Sequence, residues 1–484
     1  MKATPSTSGP PSYGDFDFIV VSNRLPVDRV THNGHSAWRR SPGGLVTALA
    51  PVMSRAEGAW VGWHGAPDEE LEPFDEANMR LVPVPLSQNE VEQYYEGFSN
   101  ATLWPLYHDV IAPPEFHRTW WDVYAHVNQR FADAAAAVAA HGATVWVQDY
   151  QLQLVPKLLR QARPDLNIGF FNHIPFPPLE IYAQLPWRRQ VLEGLLGADL
   201  IGFQRPSDAN NFLRCVRRFT THTVKQQQVQ VTGEDSPPYV SRAEAFPISI
   251  DVDAITTLAE RPDIIERSRE IRRELGNPKH ILLGVDRLDY TKGIGHRLKA
   301  YEELLKEGRI TVEGAALIQV ASPSRERVEQ YRLLREEIEG AVGHINGTFD
   351  TMKNTAIRYL HHSYPVEEMV ALYLAADVML VTALRDGMNL VAKEYVAART
   401  TNRGALVLSE FAGAADTLRQ AVLVNPHDID GLKDAIMTAL EMPASDAIRR
   451  MRTMRRHVLQ NDVERWSRNF LDALQNNDEE NTFG

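Results

Sequence analysis

Arg287 and Lys292 lie in one short stretch, Asp286-Arg-Leu-Asp-Tyr-Thr-Lys-Gly293, directly after the apolar run Ile281-Leu-Leu-Gly-Val285. Two cations in one loop at the carboxyl end of a strand can clamp a diphosphate. Arg offers a planar fork and Lys a compact charge, and both offset the negative charge that grows as a phosphate-bearing bond breaks. The alternative reading is a pair of solvated surface charges. A second stretch, Leu384-Arg-Asp-Gly-Met-Asn-Leu-Val-Ala-Lys-Glu394, follows the apolar strand 377–382 and opens a helix. Gly387 lets the backbone approach a ligand closely, and the free amides at the helix start suit an anion. Glu394 returns to the same helix face about 10 Å further along the axis, where its carboxylate could hold sugar hydroxyls such as those of a ribose. A buried helix with an ordinary cap would read the same way.

Other residues of this kind stand at the ends of apolar runs. Arg24 follows Phe18-Ile-Val-Val21 in Ser22-Asn-Arg24, and Pro42-Gly-Gly44 offers backbone for close approach. Asp149 ends Val145-Trp-Val-Gln-Asp149 and could accept from a sugar hydroxyl. His173 ends Phe170-Phe-Asn-His173 and is either a core residue or a donor in a cleft. In Ala321-Ser-Pro-Ser-Arg-Glu-Arg327 the Pro and Ser read as a helix start that puts Arg325 near the same cleft. Tyr95 and Trp104 could form a sugar platform or fill a core. The acidic pairs Asp251/Asp253 and Asp428/Asp430 have metal-diphosphate spacing, which also arises by chance, and the cationic loop can replace a metal. No G-x-G-x-x-G fingerprint is present.

The elements that must position these residues are short, continuous apolar runs alternating with helical patterns. Runs such as Ile168-Gly-Phe-Phe171, Ala316-Leu-Ile-Gln-Val320, Val378-Met-Leu-Val381 and Ala405-Leu-Val-Leu408 predict strands buried on both faces, hence parallel sheets flanked by helices. The fold class expected is α/β, with two Rossmann-like, doubly wound domains facing a cleft at the carboxyl ends of their strands. The chain of 484 residues is long enough for two such domains. We expect a flexible tail over 1–14, a first domain over 15–248 and a second over 249–460. A C-terminal helix that packs back on the first domain, then a frayed end, is expected over 461–484. The polar stretch Gln226–Pro238 reads as an exposed loop or hairpin.

Composition narrows the partners. A net charge of −12 argues against nucleic acid or an anionic membrane surface, so an anionic small ligand must be met by a local basic cluster. A single cysteine, Cys215, excludes an intrachain disulfide and fits a reducing cytoplasm. No signal peptide or membrane span is read from the sequence.

Taken together, Val21-Ser-Asn-Arg24, Gly43-Gly44, Trp60-Val-Gly-Trp63, Tyr95 to Trp104, His173-Ile-Pro-Phe-Pro177, Arg287-Leu-Asp-Tyr-Thr-Lys-Gly293 and Arg385-Asp-Gly-Met-Asn-Leu-Val-Ala-Lys-Glu394 resemble the trehalose-6-phosphate synthases of glycosyltransferase family 20. The resemblance runs over roughly residues 17 to 472. It implies a retaining GT-B glucosyltransferase that moves glucose from a nucleoside-diphosphate glucose to glucose 6-phosphate, giving α,α-trehalose 6-phosphate. Carried over by position, Arg287 and Lys292 hold the donor diphosphate, helped by the amides of Gly387, Met388, Asn389, Leu390 and Val391, while Gly44 borders the phosphates. Glu394 binds the ribose, and His173 and Asp386 contact the transferred glucose. Arg24, Arg325 and Tyr95 grip the acceptor phosphate, and Trp104 and Asp149 position its ring. Arg287, Lys292, His173 and Asp386 are the residues the resemblance makes catalytic.

The resemblance further implies no required cofactor or metal, a homo-oligomer and a separate downstream phosphatase, and it leaves UDP-, ADP- and GDP-glucose open as donors. A relative using another phosphorylated acceptor, such as glycerol 3-phosphate, is the nearest rival. A silent sugar-phosphate sensor is a second, disfavoured by the complete donor clamp. A glycoside hydrolase built on Asp149 and Asp386 would need a water held at the anomeric carbon.

Overall fold

The computed structural model describes residues 14–32, 35–41, 58–232 and 237–476, with Val46, Leu49 and Met53 between them. In chain order the first part carries β1 (Phe16–Arg24), the hairpin strands β2 (Val27–His32) and β3 (His35–Arg40), β4 (Ala59–Trp63), β5 (Phe74–Glu76), β6 (Met79–Pro83), β7 (Ala139–Gln148), β8 (Asn167–Phe171), β9 (Leu200–Phe203), β10 (Thr223–Lys225), β11 (Gln228–Val231) and β12 (Tyr239–Ala245). The second part carries β13 (His280–Arg287), β14 (Ala315–Ser322), β15 (Ile357–Leu360), β16 (Val378–Val381), β17 (Ala405–Ser409) and β18 (Val422–Val424).

These strands build two doubly wound sheets. The first runs β10-β11-β12-β9-β8-β7-β1-β4-β6-β5 and the second β15-β14-β13-β16-β17-β18. The second is parallel throughout, and the first is parallel except where β10, β11 and β5 close its two edges. Strands such as β4, β16 and β17 are buried along their whole length, which is what continuous rather than alternating apolar runs dictate. In each sheet the winding reverses beside one strand, β1 in the first and β13 in the second. The crevice that ligands use in such sheets opens at the carboxyl end of that strand. Arg24 ends β1 and Arg287 ends β13.

The expected hairpin is present: β10 and β11 pair across the two-residue turn Gln226-Gln227, with Gln226 at φ 52°, the left-handed backbone such turns require. The last helix, Val463–Gln475, lies across the first sheet. Phe470 stacks on Trp146 with ring centroids 4.6 Å apart, and a Cβ at Gly169 would come within 2.8 Å of the Phe470 ring. The chain therefore passes between the two sheets twice, near Ile248–Asp251 and near Asn461–Val463. There the Val463 amide donates to the Ile250 carbonyl at 3.0 Å.

One local expectation needs correction. The helix after β14 begins at Glu329, not at Pro323-Ser324. Arg325 takes a left-handed backbone, φ 49°, which no helical turn permits, and which turns its side chain inward. The acidic pairs prove to be helix caps: Asp251 accepts from the Ala254 amide and Asp428 from the Gly431 amide. The segment Val91–Leu103 is a π-helix, closed at its end by the Trp104 amide donating to the Ser99 carbonyl.

Candidate active site

Three loops from the second sheet, after β13, β14 and β16, meet two strand ends of the first, β7 and β8, at the crevice. The loop after β13 and the turn after β16 are tied together before any ligand is considered. The Leu384 amide donates to the Thr291 carbonyl at 2.7 Å, and the Thr382 hydroxyl donates to the Gly293 carbonyl at 3.1 Å. Gly293 takes φ 62°, and a Cβ there would fall 2.1 Å from the Thr382 carbonyl oxygen. Glycine is thus required for the two loops to lie this close.

Within this pair, Lys292 Nζ donates to Asp386 Oδ2 at 2.6 Å, and both side chains are nearly buried. Asn389 donates to the same carboxylate oxygen at 3.2 Å. Burial pushes the Asp386 carboxyl up, but Lys292 and Asn389 outweigh it, and the net displacement is below the ordinary value. Arg287 is exposed at the end of β13 and has no ion pair among the described residues. Asn389 caps the helix Leu390–Ala398 from a left-handed backbone, φ 84°, its side chain accepting from the Ala392 amide. The amides of Leu390 and Val391 remain at the open end of that helix, where an anion is favoured. Glu394, half-buried along the helix, receives the Tyr373 hydroxyl at 2.7 Å, and desolvation raises its carboxyl.

The first half faces this turn with His173 and Asp149. Gly387 is seated on the His173 backbone so closely that a Cβ would lie 2.3 Å from its carbonyl oxygen. His173 Nε2 sits 2.9 Å from Gln148 Oε1, and burial pulls the imidazole down to about 3, so it is neutral near pH 7. With Gln148 Oε1 accepting from Nε2, the neutral ring leaves Nδ1 as an acceptor that can take a hydrogen bond from a sugar hydroxyl without adding positive charge. Asp149 accepts from the His173 amide at 3.1 Å, and burial pushes its carboxyl up to about 6. Its backbone, φ 72° and ψ 171°, lies in a region that side chains rarely occupy, a strain that clusters at functional sites.

Arg325 is held more tightly than the sequence suggests. Its guanidinium centres 3.8 Å from the Trp104 ring, donates to Asp289 at 3.0 Å and to the Tyr150 hydroxyl at 3.1 Å, and also contacts Tyr331. The side chain is 5% exposed and Asp289 fully buried. Nε of Arg325 has no partner among the described residues. Arg287 reaches the same Trp104 ring at 5.4 Å. Tyr95 is half-buried, whereas its neighbour Tyr94 is buried and donates to Asn23. Arg24 turns elsewhere, over the Trp63 ring at 5.2 Å and toward Asp28 at 3.1 Å. Gly44 lies outside the described residues. So Arg287, Lys292, Arg325, Trp104, Asp386, Gly387, His173 and Asp149 come together, and Arg24 stands apart with partners of its own.

Sequence reasoning missed Asp289, Tyr150 and Tyr331, which hold Arg325, although Asp289 sits inside the motif that carries Arg287 and Lys292. It also missed Arg385, which reaches Asp109 and Asp208 of the first half at 3.1 and 3.6 Å. Among the described residues, no group of three or more His, Cys, Asp or Glu side chains could hold a metal ion, and no helix is long and apolar enough to cross a membrane.

Comparison with known proteins sets this geometry in a family. The glycosyltransferase family 20 model matches residues 16–476. A trehalose-6-phosphate synthase of Mycobacterium avium (strain 104) is 58% identical over 472 residues, covering 96% of each chain. One from Mycobacterium tuberculosis (strain CDC 1551 / Oshkosh) is 56% identical over 476 residues, covering 96% of this chain and 95% of the other. Among solved structures, a UDP-forming α,α-trehalose-phosphate synthase of Burkholderia xenovorans in complex with glucose-6-phosphate superposes with a TM-score of 0.86 at 34% identity, over 95% of this chain and 99% of that one. An E. coli structure bound with UDP-2-fluoro glucose does so with a TM-score of 0.85 at 34% identity, with the same coverage. With two doubly wound sheets in the GT-B arrangement and a match along nearly its whole length, the chain belongs to glycosyltransferase family 20.

Proposed function

We propose that the chain transfers glucose from a nucleoside-diphosphate glucose to glucose 6-phosphate with retention, yielding α,α-trehalose 6-phosphate and the nucleoside diphosphate. The observation that carries this reading is the exposed Arg287 beside the Lys292–Asp386 pair, opposite a glycine turn whose helix amides stay open. In it, residues 15–248 form chiefly the acceptor domain and residues 249–460 chiefly the donor domain, with Arg325 reaching from the second to the acceptor and His173 and Gly44 from the first to the donor. Arg287, Lys292 and the amides from Gly387 to Val391 bind the diphosphate, with Gly44 bordering it, and Glu394 meets the ribose. Asp386, its carboxylate oriented by Lys292 and Asn389, and the neutral His173 meet hydroxyls of the glucose.

The acceptor's phosphate docks at Arg325 beside Tyr95, and Arg24 joins them by leaving its contacts with Asp28 and Trp63. Trp104, whose ring is covered by the Arg325 guanidinium and by His108, backs the acceptor pocket by holding Arg325 rather than by offering a face to the sugar ring, and Asp149 accepts from a ring hydroxyl. Transfer then proceeds on one face of the glucose. The anomeric C–O bond to the diphosphate breaks as the acceptor hydroxyl oxygen bonds to that carbon. The hydroxyl proton passes to the departing phosphate oxygen, whose charge Arg287 and Lys292 stabilise. The product keeps its phosphate, so its removal falls to a separate phosphatase.

Relatives support the reading: the B. xenovorans protein was solved with glucose-6-phosphate and the E. coli one with UDP-2-fluoro glucose. The test is nucleoside-diphosphate release from UDP-, ADP- and GDP-glucose, with and without glucose 6-phosphate, and mass identification of the sugar product. Acceptor-dependent release with a phosphorylated disaccharide is expected, and its absence with every donor would refute the reading.

A further inference from the structure

Two arginines, one from each half, cross the seam beside the donor turn in opposite directions to acids of the other half. Arg385, immediately before Asp386, extends from the second half to Asp109 and Asp208 of the first. Arg205 of the first half sends two parallel bonds of 2.8 Å to Asp416 of the second. Asp416 ends the turn Gly413–Asp416, and that turn is bonded to the donor turn itself. The Gly413 amide donates to the Asp386 carbonyl at 3.2 Å, and the Ala414 amide to the Met388 carbonyl at 2.8 Å. Both crossings therefore pull on one rigid unit, which includes Asp386 and Gly387.

The first-half acids are placed at a cost that simple packing does not require. Asp208 is fully buried, and neither carboxylate oxygen has a well-formed hydrogen bond, although the Phe176 amide and Arg385 face it. Asp109 and Val110 both take left-handed backbones, φ 56° and 57°, a conformation particularly adverse for a β-branched residue. Burial pushes the Asp208 carboxyl up to about 6 despite Arg385, so Arg385 is the main cation opposing the cost of burying this acid.

We propose that Arg385 is a positioning residue for the transfer: with Arg205–Asp416 it forms a reciprocal latch that holds Asp386 and Gly387 against His173. The latch rests on the reading of the 384–394 turn as the donor cradle, and its test has one arm that needs no turnover. In full-length protein, Arg385→Ala, Arg205→Ala, Asp416→Ala and the Arg205/Asp416 double variant are compared with wild type by small-angle X-ray scattering without ligand. Steady-state kinetics with glucose 6-phosphate and the donor that wild type prefers form the second arm. Expected are a larger radius of gyration and a roughly tenfold fall in kcat for Arg385→Ala, with a smaller change in the KM for glucose 6-phosphate. Arg385→Lys, which keeps the charge and loses the fork, should recover part of the loss.

The Arg205 and Asp416 single variants should lose as much as their double variant, because they break one pair. A wild-type radius together with a wild-type kcat for Arg385→Ala would overturn the latch, as would strictly additive Arg205 and Asp416 effects. If wild type releases no nucleoside diphosphate, the donor reading fails while the scattering arm still decides the latch.

Discussion

Asp149→Asn should make the protein more stable and less active, and the size of both effects follows from the site. Burial raises the Asp149 carboxyl from 3.8 to about 6. Keeping it ionised at neutral pH therefore costs the fold about 3 kcal/mol, at about 1.4 kcal/mol per tenfold change in the proton equilibrium. Asn has the same shape and can still accept from the His173 amide, and it inherits the same strained backbone, so both of those contributions cancel in the comparison. The sign follows from the order of the two titrations. The folded chain takes up its proton near pH 6 and the unfolded chain only near 3.8, so the penalty is complete above 6, shrinks on acidification between these values and is gone below them. Urea unfolding followed by tryptophan fluorescence should show the variant more stable by about 3 kcal/mol at pH 7.5 and by about half of that at pH 5. The same variant should lose about 10- to 100-fold in kcat/KM for glucose 6-phosphate, the worth of a charge-assisted hydrogen bond. A variant no more stable than wild type at pH 7.5, or a gain that does not change with pH, would refute the reasoning.

Lys292→Ala removes the cation that holds Asp386 and should lower kcat by about 10²- to 10³-fold with both substrates saturating; a wild-type kcat would count against its role at the leaving diphosphate. Arg325→Ala leaves the buried Asp289 without its 3.0 Å partner and should cost about 3–5 kcal/mol in urea unfolding. In the folded fraction, initial-rate kinetics should show a rise in the KM for glucose 6-phosphate much larger than that for the sugar nucleotide. Gly387→Ala drives a methyl group to 2.3 Å from the His173 carbonyl oxygen and should abolish most turnover while leaving far-UV circular dichroism unchanged; activity near wild type would mean that the turn is not held this close.

Both sheets were legible because their strands are buried on two faces and so write themselves as unbroken apolar runs. Val378–Val381 is one run in the sequence and one strand in the structure. The charged residues at strand ends were legible for the same reason, since a run that stops at Arg287 or Asp149 delivers that side chain to the crevice. What stayed hidden depends on partners distant in the chain. Nothing local to Arg385 announces Asp208, and nothing local to Arg325 announces Tyr150. The left-handed backbone of Arg325 was illegible because Pro323-Ser324 carries an ordinary helix-start signal that tertiary contacts override. The π-helix from Val91 to Leu103 escaped because a turn wider by one residue leaves no distinct pattern of residue types in the sequence.

The helix Val463–Gln475 gives the order of synthesis a consequence. Domains generally fold as units while the chain emerges, the amino-terminal one first. Here the first sheet leaves room at Gly169 and Gly202 for a phenylalanine that is made almost last, so Trp146 and Phe171 wait with one face uncovered until Trp466 and Phe470 arrive. During that interval the nascent first half presents an aromatic surface to its surroundings, and only the final helix withdraws it. A chain cut short before residue 463 would lack the cover over Trp146 and Phe171 and expose an apolar patch of the kind that promotes aggregation.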